Sequence, residues 1–245
     1  MRAMILAAGL GTRLRPLTDD RPKALVEVAG RTLLEITLRR LAAFGIREVI
    51  VNVHHFADMV AEYLKKNGNF GLRIEISRED ALLDTGGGLK NAAWFFEGSP
   101  DSFLLHNVDV VSTIDLGRMV EFHQKNQALV TLAVQDRETS RYLLFDEHNQ
   151  LCGRRAGRDQ AAETVRPAAN TTALAFSGIH VIAPRFLEMM TEHGAFSIVN
   201  SYLRVARQGE KISGFRADEY YWRDLGKPEN VMQAANDVEH EIVRI

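Results

Sequence analysis

Residues 3–28 read AMILAAGLGTRLRPLTDDRPKALVEV, and this stretch decides the fold. It opens with an apolar run, Ala3 to Ala8, which has the length and composition of a buried strand. Two glycines follow directly, and glycines at such a place let the backbone turn sharply and bring its N–H groups close to an anion. Arg13 and Lys23 add positive charge. The stretch therefore predicts a strand followed by a phosphate-binding turn.

Two common phosphate-binding motifs are absent from this stretch. A Walker loop requires GxxxxGK[ST], which does not occur here. A dinucleotide-binding fingerprint requires GxGxxG, but Leu14 stands where the third glycine would be. A pair of glycines spaced as GxG is a weak signal by itself, because many such pairs form plain turns. The whole string is therefore more informative than its glycines.

The whole string resembles the signature of the sugar-1-phosphate nucleotidyltransferases, LAAGxGTRLxPLT followed by PKxLxxV. In this chain the first part runs from Leu6 to Thr18 and the second from Pro22 to Val28. The resemblance implies catalytic roles for two cations: Arg13 would stabilise charge on the leaving pyrophosphate, and Lys23 would bind the α-phosphate or the sugar phosphate. It also implies a nucleotide-binding loop made of Ala8, Gly9, Gly11, Thr12 and Arg13.

Composition and charge exclude several classes of protein. The chain has 245 residues, of which 46% are hydrophobic and 25% charged, as in ordinary globular proteins. A net charge of −2 gives no global field that would recruit nucleic acid or a membrane, so neither partner is expected. Cys152 is the only cysteine, which excludes an intramolecular disulfide and fits a cytoplasmic location. No apolar run reaches the ~18–20 residues of a membrane span, and the first residues lack a secretion signal.

Strand and helix patterns alternate through the first half of the chain. Apolar runs predict strands at residues 49–53, 73–77 and 103–111, and helical periodicity predicts helices at 33–44, 57–66, 86–96 and 116–125. This alternation is typical of a parallel sheet that helices cover on both faces. We therefore expect an α/β fold, a Rossmann-like three-layer sandwich with a mixed, mostly parallel central sheet, as the family resemblance also implies.

The second half of the chain is less regular. Strands are predicted at residues 129–134, 142–145, 150–154, 174–182, 212–215 and 220–222, and helices from 184, at 197–207 and at 228–243. Residues 155–172 are polar and aperiodic, which predicts an exposed loop that little apolar burial would hold in place. No linker rich in proline or glycine is present. We expect a single domain over residues 1–245, with a nucleotide-binding half at 1–111 and a sugar-phosphate-binding half at 112–245.

A second glycine-rich segment, Asp84-Thr85-Gly86-Gly87-Gly88, stands at a predicted helix start. Three glycines remove side chains where a flat group would approach the backbone. In the family that the chain resembles, a similar turn holds the base of the nucleotide, which implies base contacts from Thr85, Gly86 and Gly87. A tight loop beside a packed helix is the structural alternative, and glycine backbones do not tell which base is bound.

Two aspartates are candidate metal ligands. Asp109 ends an apolar run, and ligands bind at the carboxyl ends of strands in open α/β sheets. The family has N-G-D at this place, whereas this chain has Asn107-Val108-Asp109. Asp224 lies in the segment YWRDLGKP, which resembles the family pattern W-x-D-[IVL]-G-[TK]-P. The resemblance implies that both carboxylates bind Mg²⁺, which prefers oxygen ligands and keeps several waters.

Four residues are candidates for binding the sugar phosphate: Asn107, Arg154, Asn170 and Gly178. Ser177-Gly178-Ile179 resembles a family strand in which glycine permits close approach of the sugar. Arg154 and Asn170 would hold sugar hydroxyls or the sugar phosphate, although their surroundings in the sequence fit exposed loop residues equally well.

The resemblance covers nearly the whole chain and implies an enzyme that transfers a nucleotidyl group from a nucleoside triphosphate to a sugar 1-phosphate, with Mg²⁺ as cofactor. Uridylyl transfer to N-acetylmuramate 1-phosphate is the first expectation, and guanylyl transfer to mannose or heptose 1-phosphate is the alternative. A non-catalytic nucleotide-sugar sensor would not need two cations and two carboxylates, and a dinucleotide-dependent oxidoreductase would need the missing glycine. The enzyme is expected to be a monomer or a homodimer.

Overall fold

Strands and helices alternate along the chain in the computed structural model, which describes residues 1–157 and 160–245. The strands are β1 (Ala3–Leu6), β2 (Glu27–Val28), β3 (Arg31–Thr32), β4 (Glu48–Val53), β5 (Arg73–Arg78), β6 (Phe103–Asn107), β7 (Val110–Ser112), β8 (Val130–Gln135), β9 (Arg141–Phe145), β10 (Leu151–Ala156), β11 (Ala162–Thr164), β12 (Thr172–Ile182), β13 (Ile212–Arg216) and β14 (Trp222–Asp224). The helices are α1 (Leu33–Ala43), α2 (Ala57–Lys66), α3 (Asp84–Asn91), α4 (Leu116–Asn126), α5 (Arg185–Glu188), α6 (Ile198–Arg207) and α7 (Pro228–Glu239).

Within the described residues, the central sheet has ten strands in the order β11-β10-β9-β12-β6-β1-β4-β5, with β8 and β13 joined to it beside β12. β6, β1, β4 and β5 are parallel neighbours. β12 pairs antiparallel with β6, β8 and β9. These four parallel neighbours come from the first half of the chain, whereas the second half contributes one parallel pair, β8 with β13, and several antiparallel pairs. The predicted mixed sheet with a mostly parallel core is confirmed.

The sheet separates two hydrophobic cores. Ala3 and Ile5 of β1 belong to the core on one face, together with side chains of α1, α2, α4 and α7. Met4 and Leu6 belong to the core on the other face, with α3, α5 and α6. Successive strand side chains point to opposite faces, so a run that is buried throughout must be covered on both sides. The result is the expected three-layer sandwich.

The prediction of one strand over residues 103–111 is wrong. β6 ends at Asn107 and β7 begins at Val110. β7 does not pair within the central sheet but forms a separate antiparallel pair with β14. Both pieces are buried, so the apolar run continues through the break and hides it. The break leaves Asp109 between two strands that have different partners.

Other boundaries also differ from the prediction. The predicted loop 155–172 contains the end of β10 and all of β11, an exposed edge strand whose polar side chains hide its pairing. Positions 158 and 159 of that predicted loop lie outside the described residues. The helix predicted over 86–96 ends at Asn91 and a 3₁₀ turn follows, and the last helix ends at Glu239. In the part of the chain that the structure describes, no helix combines the length and apolar character needed to cross a membrane.

Candidate active site

The loop after β1 closes on itself. Leu14 N and Thr18 Oγ1 both donate to the carbonyl oxygen of Gly11, each at 2.8 Å. Gly11 has φ of 66°, and a Cβ there would lie 2.9 Å from Thr18 Cγ2, so both the backbone conformation and the space require glycine. A Cβ at Gly9 would meet nothing within 4 Å. The signature residues therefore shape a tight loop at the carboxyl end of β1.

Asp109 and Asp224 lie side by side, although they are far apart in the chain. β14 pairs with β7 in a register that places Asp224 opposite Val110. Leu225 N donates to the carbonyl oxygen of Asp109 at 2.7 Å, and Gly226 N donates to Asp224 Oδ1 at 2.6 Å. The small β7–β14 pair thus brings the two predicted carboxylates together.

Each carboxylate is accompanied by one of the predicted cations. Lys23 Nζ forms an ion pair with Asp109 Oδ2, and both side chains are largely buried. A Cβ at Gly226 would lie 2.6 Å from Asp224 Oδ1 and 2.9 Å from Arg13 Nη2, so Arg13 and Asp224 flank the same glycine. The four predicted charged residues form one cluster at the carboxyl edge of the sheet, which we call the carboxylate cluster: Arg13, Lys23, Asp109 and Asp224.

The donor set of the carboxylate cluster fits a hard divalent cation. Asp109 and Asp224 offer oxygen ligands, and Mg²⁺ is commonly bound by one or two carboxylates together with waters and substrate phosphates. Across residues 1–157 and 160–245, no three His, Cys, Asp or Glu side chains are grouped so as to hold a metal ion. A cation at this place would therefore complete its coordination with water or substrate oxygens.

Gly178 and Asn107 adjoin the carboxylate cluster. Gly178 has φ of 75°, and a Cβ there would lie 2.9 Å from both Asn107 Nδ2 and Val110 Cγ2. Trp222 Nε1 donates to the carbonyl oxygen of Ser177 at 2.7 Å, which ties β12 to β14 close to the second carboxylate. The structure therefore brings these two predicted sugar-side residues to the site.

Arg154 and Asn170 are not brought to the carboxylate cluster. Arg154 Nε donates to Glu163 Oε2 at 2.6 Å, and Arg154 Nη1 donates to Asn200 Oδ1 at 2.8 Å. Asn170 is exposed, and no hydrogen bond links it to the cluster within the described part of the chain. Arg155 points to the opposite face of the sheet from Arg154, because adjacent residues of a strand alternate. Arg154, the arginine named from the sequence, therefore lies on the face of the sheet that packs against α6.

The glycine-rich turn at the start of α3 is held by the second half of the chain. Gly86 N donates to the carbonyl oxygen of Phe196 at 2.9 Å, and Thr85 N donates to Asp84 Oδ1 at 2.6 Å. These partners occupy two of the main-chain donors that we expected to contact a base. The base contacts expected of Thr85, Gly86 and Gly87 stay a prediction, and in the free chain the N–H groups of Thr85 and Gly86 are already bonded within the protein.

Close packing explains why this turn is made of glycines. A Cβ at Gly86 would overlap the ring of Phe196, and one at Gly87 would overlap the carbonyl oxygen of Gly194. A Cβ at Gly88 would lie 2.7 Å from Asn52 Nδ2. Protein atoms fill the space that the missing side chains leave, so the structural alternative accounts for all three glycines.

Sequence reasoning missed the buried pair Asn52 and Glu79. Asn52 Oδ1 accepts from Ala7 N at 2.7 Å, and Asn52 Nδ2 donates to Glu79 Oε1 at 2.7 Å. Glu79 Oε2 accepts from Leu83 N at 3.0 Å. These bonds connect the end of β1 to the start of α3, and so fix the signature loop relative to the glycine-rich turn. A lone Asn and a lone Glu form no motif, and their positions at the ends of β4 and β5 were the only signal available.

Arg40 of α1 is another buried residue that supports the site. Its guanidinium donates to the carbonyl oxygens of Ser112 and Ile114, and Nη1 also donates to Ser112 Oγ at 2.6 Å. Burial lowers the pKa of Arg40 to about 10, so it stays charged at neutral pH. Burial, and then the nearby Arg40 charge, lower the pKa of His106 to about 3, which leaves that imidazole neutral. Arg40 thus anchors the end of β7, the strand that follows Asp109.

Comparison with known proteins agrees with this geometry. The sequence profile of the nucleotidyl transferase family matches residues 2–241. The chain belongs to this family. It is 35% identical over 243 residues to N-acetylmuramate alpha-1-phosphate uridylyltransferase of Caulobacter vibrioides. The aligned region covers 95% of this chain and 94% of that protein. It is 32% identical over 241 residues to mannose-1-phosphate guanylyltransferase of Mycobacterium tuberculosis. The aligned region covers 96% of this chain and 64% of that protein.

Solved structures share the fold. HddC from Yersinia pseudotuberculosis, in a complex with GMP-PN, superposes with a TM-score of 0.77 at 23% identity, over 97% of this chain and 99% of that one. Identity at this level shows the fold alone. Together with the family match, the comparisons confirm the predicted class: this family member is a sugar-1-phosphate nucleotidyltransferase.

Proposed function

We propose that this enzyme transfers a uridylyl group from UTP to N-acetylmuramate 1-phosphate and releases pyrophosphate. The observation that carries nucleotidyl transfer is the carboxylate cluster, which places two cations and two carboxylates at one edge of the sheet. The choice of substrates is supported by the relative from Caulobacter vibrioides, which matches over 94% of its length. Guanylyl transfer to mannose 1-phosphate is the second candidate, and it is supported by the relative from Mycobacterium tuberculosis at 32% identity.

In this reaction an oxygen of the sugar 1-phosphate attacks the α-phosphorus of the triphosphate in line. The bond between the α-phosphorus and the pyrophosphate oxygen breaks, and the protein mainly positions groups and neutralises charge. We assign Arg13 to the leaving pyrophosphate, because a planar guanidinium donates several hydrogen bonds and stays charged. We assign Lys23, which pairs with Asp109 in the free chain, to the α-phosphate or the sugar phosphate.

Asp109 and Asp224 would hold Mg²⁺ in this proposal. When bound there, the ion supplies positive charge to the phosphate oxygens of the substrates. The protein itself contributes the orientation of the two carboxylates, through the hydrogen bonds that Leu225 N and Gly226 N donate around them.

Pyrophosphate release tests the proposal, with UTP, GTP, dTTP, ATP and CTP each offered with a panel of sugar 1-phosphates. UTP with N-acetylmuramate 1-phosphate is expected to give the highest kcat/KM. A higher value for GTP with mannose or heptose 1-phosphate would replace the proposal with the guanylyl alternative. Release with no pair would overturn the catalytic assignment. Asp109→Asn prepared in parallel shows whether any activity comes from a contaminant.

A further inference from the structure

A cavity of about 400 Å³ lies in the second half of the chain and is lined by Asp136, Tyr142, Arg155 and Ala173. Tyr142 and Arg155 stand directly opposite each other in the β9–β10 pair, and Ala173 lies on β12, the other neighbour of β9. Their registers place these three side chains on one face of the sheet. Arg154 faces the other way, towards Asn200 of α6.

Arg137 connects this cavity to the active site. It follows Asp136 of the cavity wall, and its guanidinium carbon lies 3.6 Å from the centre of the Trp222 ring. Its Nη2 donates to the carbonyl oxygen of Phe176 at 2.8 Å. Burial lowers the pKa of Arg137, and the carboxylate of Asp224 acts in the opposite direction, so the guanidinium lies within electrostatic reach of the carboxylate cluster.

Arg137 and Arg155 both have donor capacity that the described chain does not use. The Nε atoms of both are buried and have no hydrogen-bond partner among the described residues. Tyr142 lies within electrostatic reach of Arg137, and Arg155 Cζ is 5.9 Å from the centre of its ring. A buried donor without an acceptor is destabilising, and an arginine does not lose its charge to avoid this. Among the described lining residues, Arg155 supplies one guanidinium and Asp136 one exposed carboxylate, and Arg137, next in sequence to Asp136, adds a second guanidinium beside the cavity wall.

We propose that this cavity receives the sugar, and that Arg137 and Arg155 bind an acidic substituent of the sugar other than its 1-phosphate. The proposal rests on the proposed function, since it assumes a sugar 1-phosphate as acceptor. A carboxylate matches the forked donors of a guanidinium and would supply the acceptors that both Nε atoms lack. Trp222 and Phe176 already hold Arg137, so binding would require little rearrangement. The substrate class is thus a sugar 1-phosphate that carries a carboxylate.

Matched pairs of sugars test this proposal. N-acetylmuramate 1-phosphate differs from N-acetylglucosamine 1-phosphate by its lactyl carboxylate, and glucuronate 1-phosphate differs from glucose 1-phosphate by a carboxylate in place of a hydroxymethyl group. The unmodified enzyme, with its preferred triphosphate, is expected to favour the acidic member of at least one pair by about 100-fold in kcat/KM. Arg137→Gln and Arg155→Gln are each expected to reduce that preference by about 10- to 100-fold, which is the range for a lost charge-assisted hydrogen bond. Arg155→Lys is expected to restore part of it.

Arg154→Gln is the matched control, because this neighbouring arginine faces α6 and should leave the preference unchanged. Equal losses for the acidic and neutral sugars in the Arg137 and Arg155 variants would assign these residues to the 1-phosphate or to support of Asp224, and would overturn the proposal. An unmodified enzyme without any preference would overturn it as well. If no sugar supports pyrophosphate release, the proposed function fails by itself. Calorimetric Kd values of the four sugar 1-phosphates then test the proposal. A lower Kd for the acidic than for the neutral sugars, with this difference lost in Arg155→Gln, supports the proposal, and equal Kd values refute it.

Discussion

Gly226→Ala would displace two charged groups of the active site without removing either. The added Cβ would lie 2.6 Å from Asp224 Oδ1 and 2.9 Å from Arg13 Nη2, whereas ordinary contact begins near 3.4 Å. The carboxylate oxygen must therefore move by about 0.8 Å and the guanidinium by about 0.5 Å, unless the backbone shifts instead. Gly226 does not have a positive φ, so strain from the backbone conformation does not add to this effect.

A displacement of this size should lower kcat far more than it lowers stability. A misplacement of about 1 Å costs roughly 100-fold in rate when reacting groups must be aligned, so we expect a loss of about 10- to 100-fold. The proposed Mg²⁺ demands near-ideal geometry, so the Mg²⁺ concentration for half-maximal rate should also rise.

The assay is pyrophosphate release over a range of Mg²⁺ concentrations, with Tm measured on the same samples. Gly117→Ala is the control, since its Cβ would also approach an aspartate oxygen, Asp115 Oδ1 at 3.2 Å, but outside the active site. It should keep the unmodified kcat. If Gly226→Ala retained kcat within twofold and the same Mg²⁺ dependence, the assignment of Arg13 and Asp224 to one reacting centre would be refuted.

Three further variants and one pH dependence test other parts of the site and fold. Asp109→Asn should fold normally and lose most turnover, and near-normal activity at limiting Mg²⁺ would exclude this carboxylate as a ligand. Arg13→Ala should lower kcat more than it raises KM for the triphosphate, whereas a change confined to KM would assign the residue to ground-state binding. Glu79→Gln leaves one of two buried N–H donors without an acceptor and should lower the free energy of unfolding by about 1–3 kcal/mol in urea titrations; an unchanged value would contradict the bonds to Asn52 and Leu83. Burial lowers the pKa of both His106 and His180 to about 3, so below pH 6.5 the unfolded chain takes up protons that the folded chain does not. The free energy of unfolding should therefore fall by about 3 kcal/mol between pH 6.5 and 5, and a constant value would show that these histidines are not buried as neutral groups.

The layered fold follows from the sequence because burial on both faces leaves a simple pattern. The four residues of β1 are apolar without alternation, and only a strand covered on both sides requires this. The same uninterrupted burial hides the break at Asp109. β6 and β7 are both buried, and Asp109 is the one polar residue between Val108 and β7. The partner of each strand depends on the arrangement of the whole sheet, so it cannot be predicted from the hydrophobic pattern of a short segment.

The charged residues of the site could be predicted only where they belong to a recognisable sequence motif. Arg13 and Lys23 lie within the signature, and the fold brings both to the predicted carboxylates. Arg137 and Glu79 belong to no such motif, because their roles depend on which distant groups pack against them. The face on which Arg154 lies was not predictable either, because the register of β10 decides which face each of the adjacent residues Arg154 and Arg155 occupies, and a shift of one residue exchanges them.

We expect the β7–β14 pair to set the order in which substrate binding and turnover return when the chain refolds. Its two strands are separated by most of the second half of the chain, and closing a long loop costs more conformational entropy than joining near neighbours. The signature loop, by contrast, is closed by bonds between residues only a few positions apart. Affinity for the triphosphate should therefore recover before turnover does. The delay between the two recoveries would measure how long the β7–β14 pair takes to form.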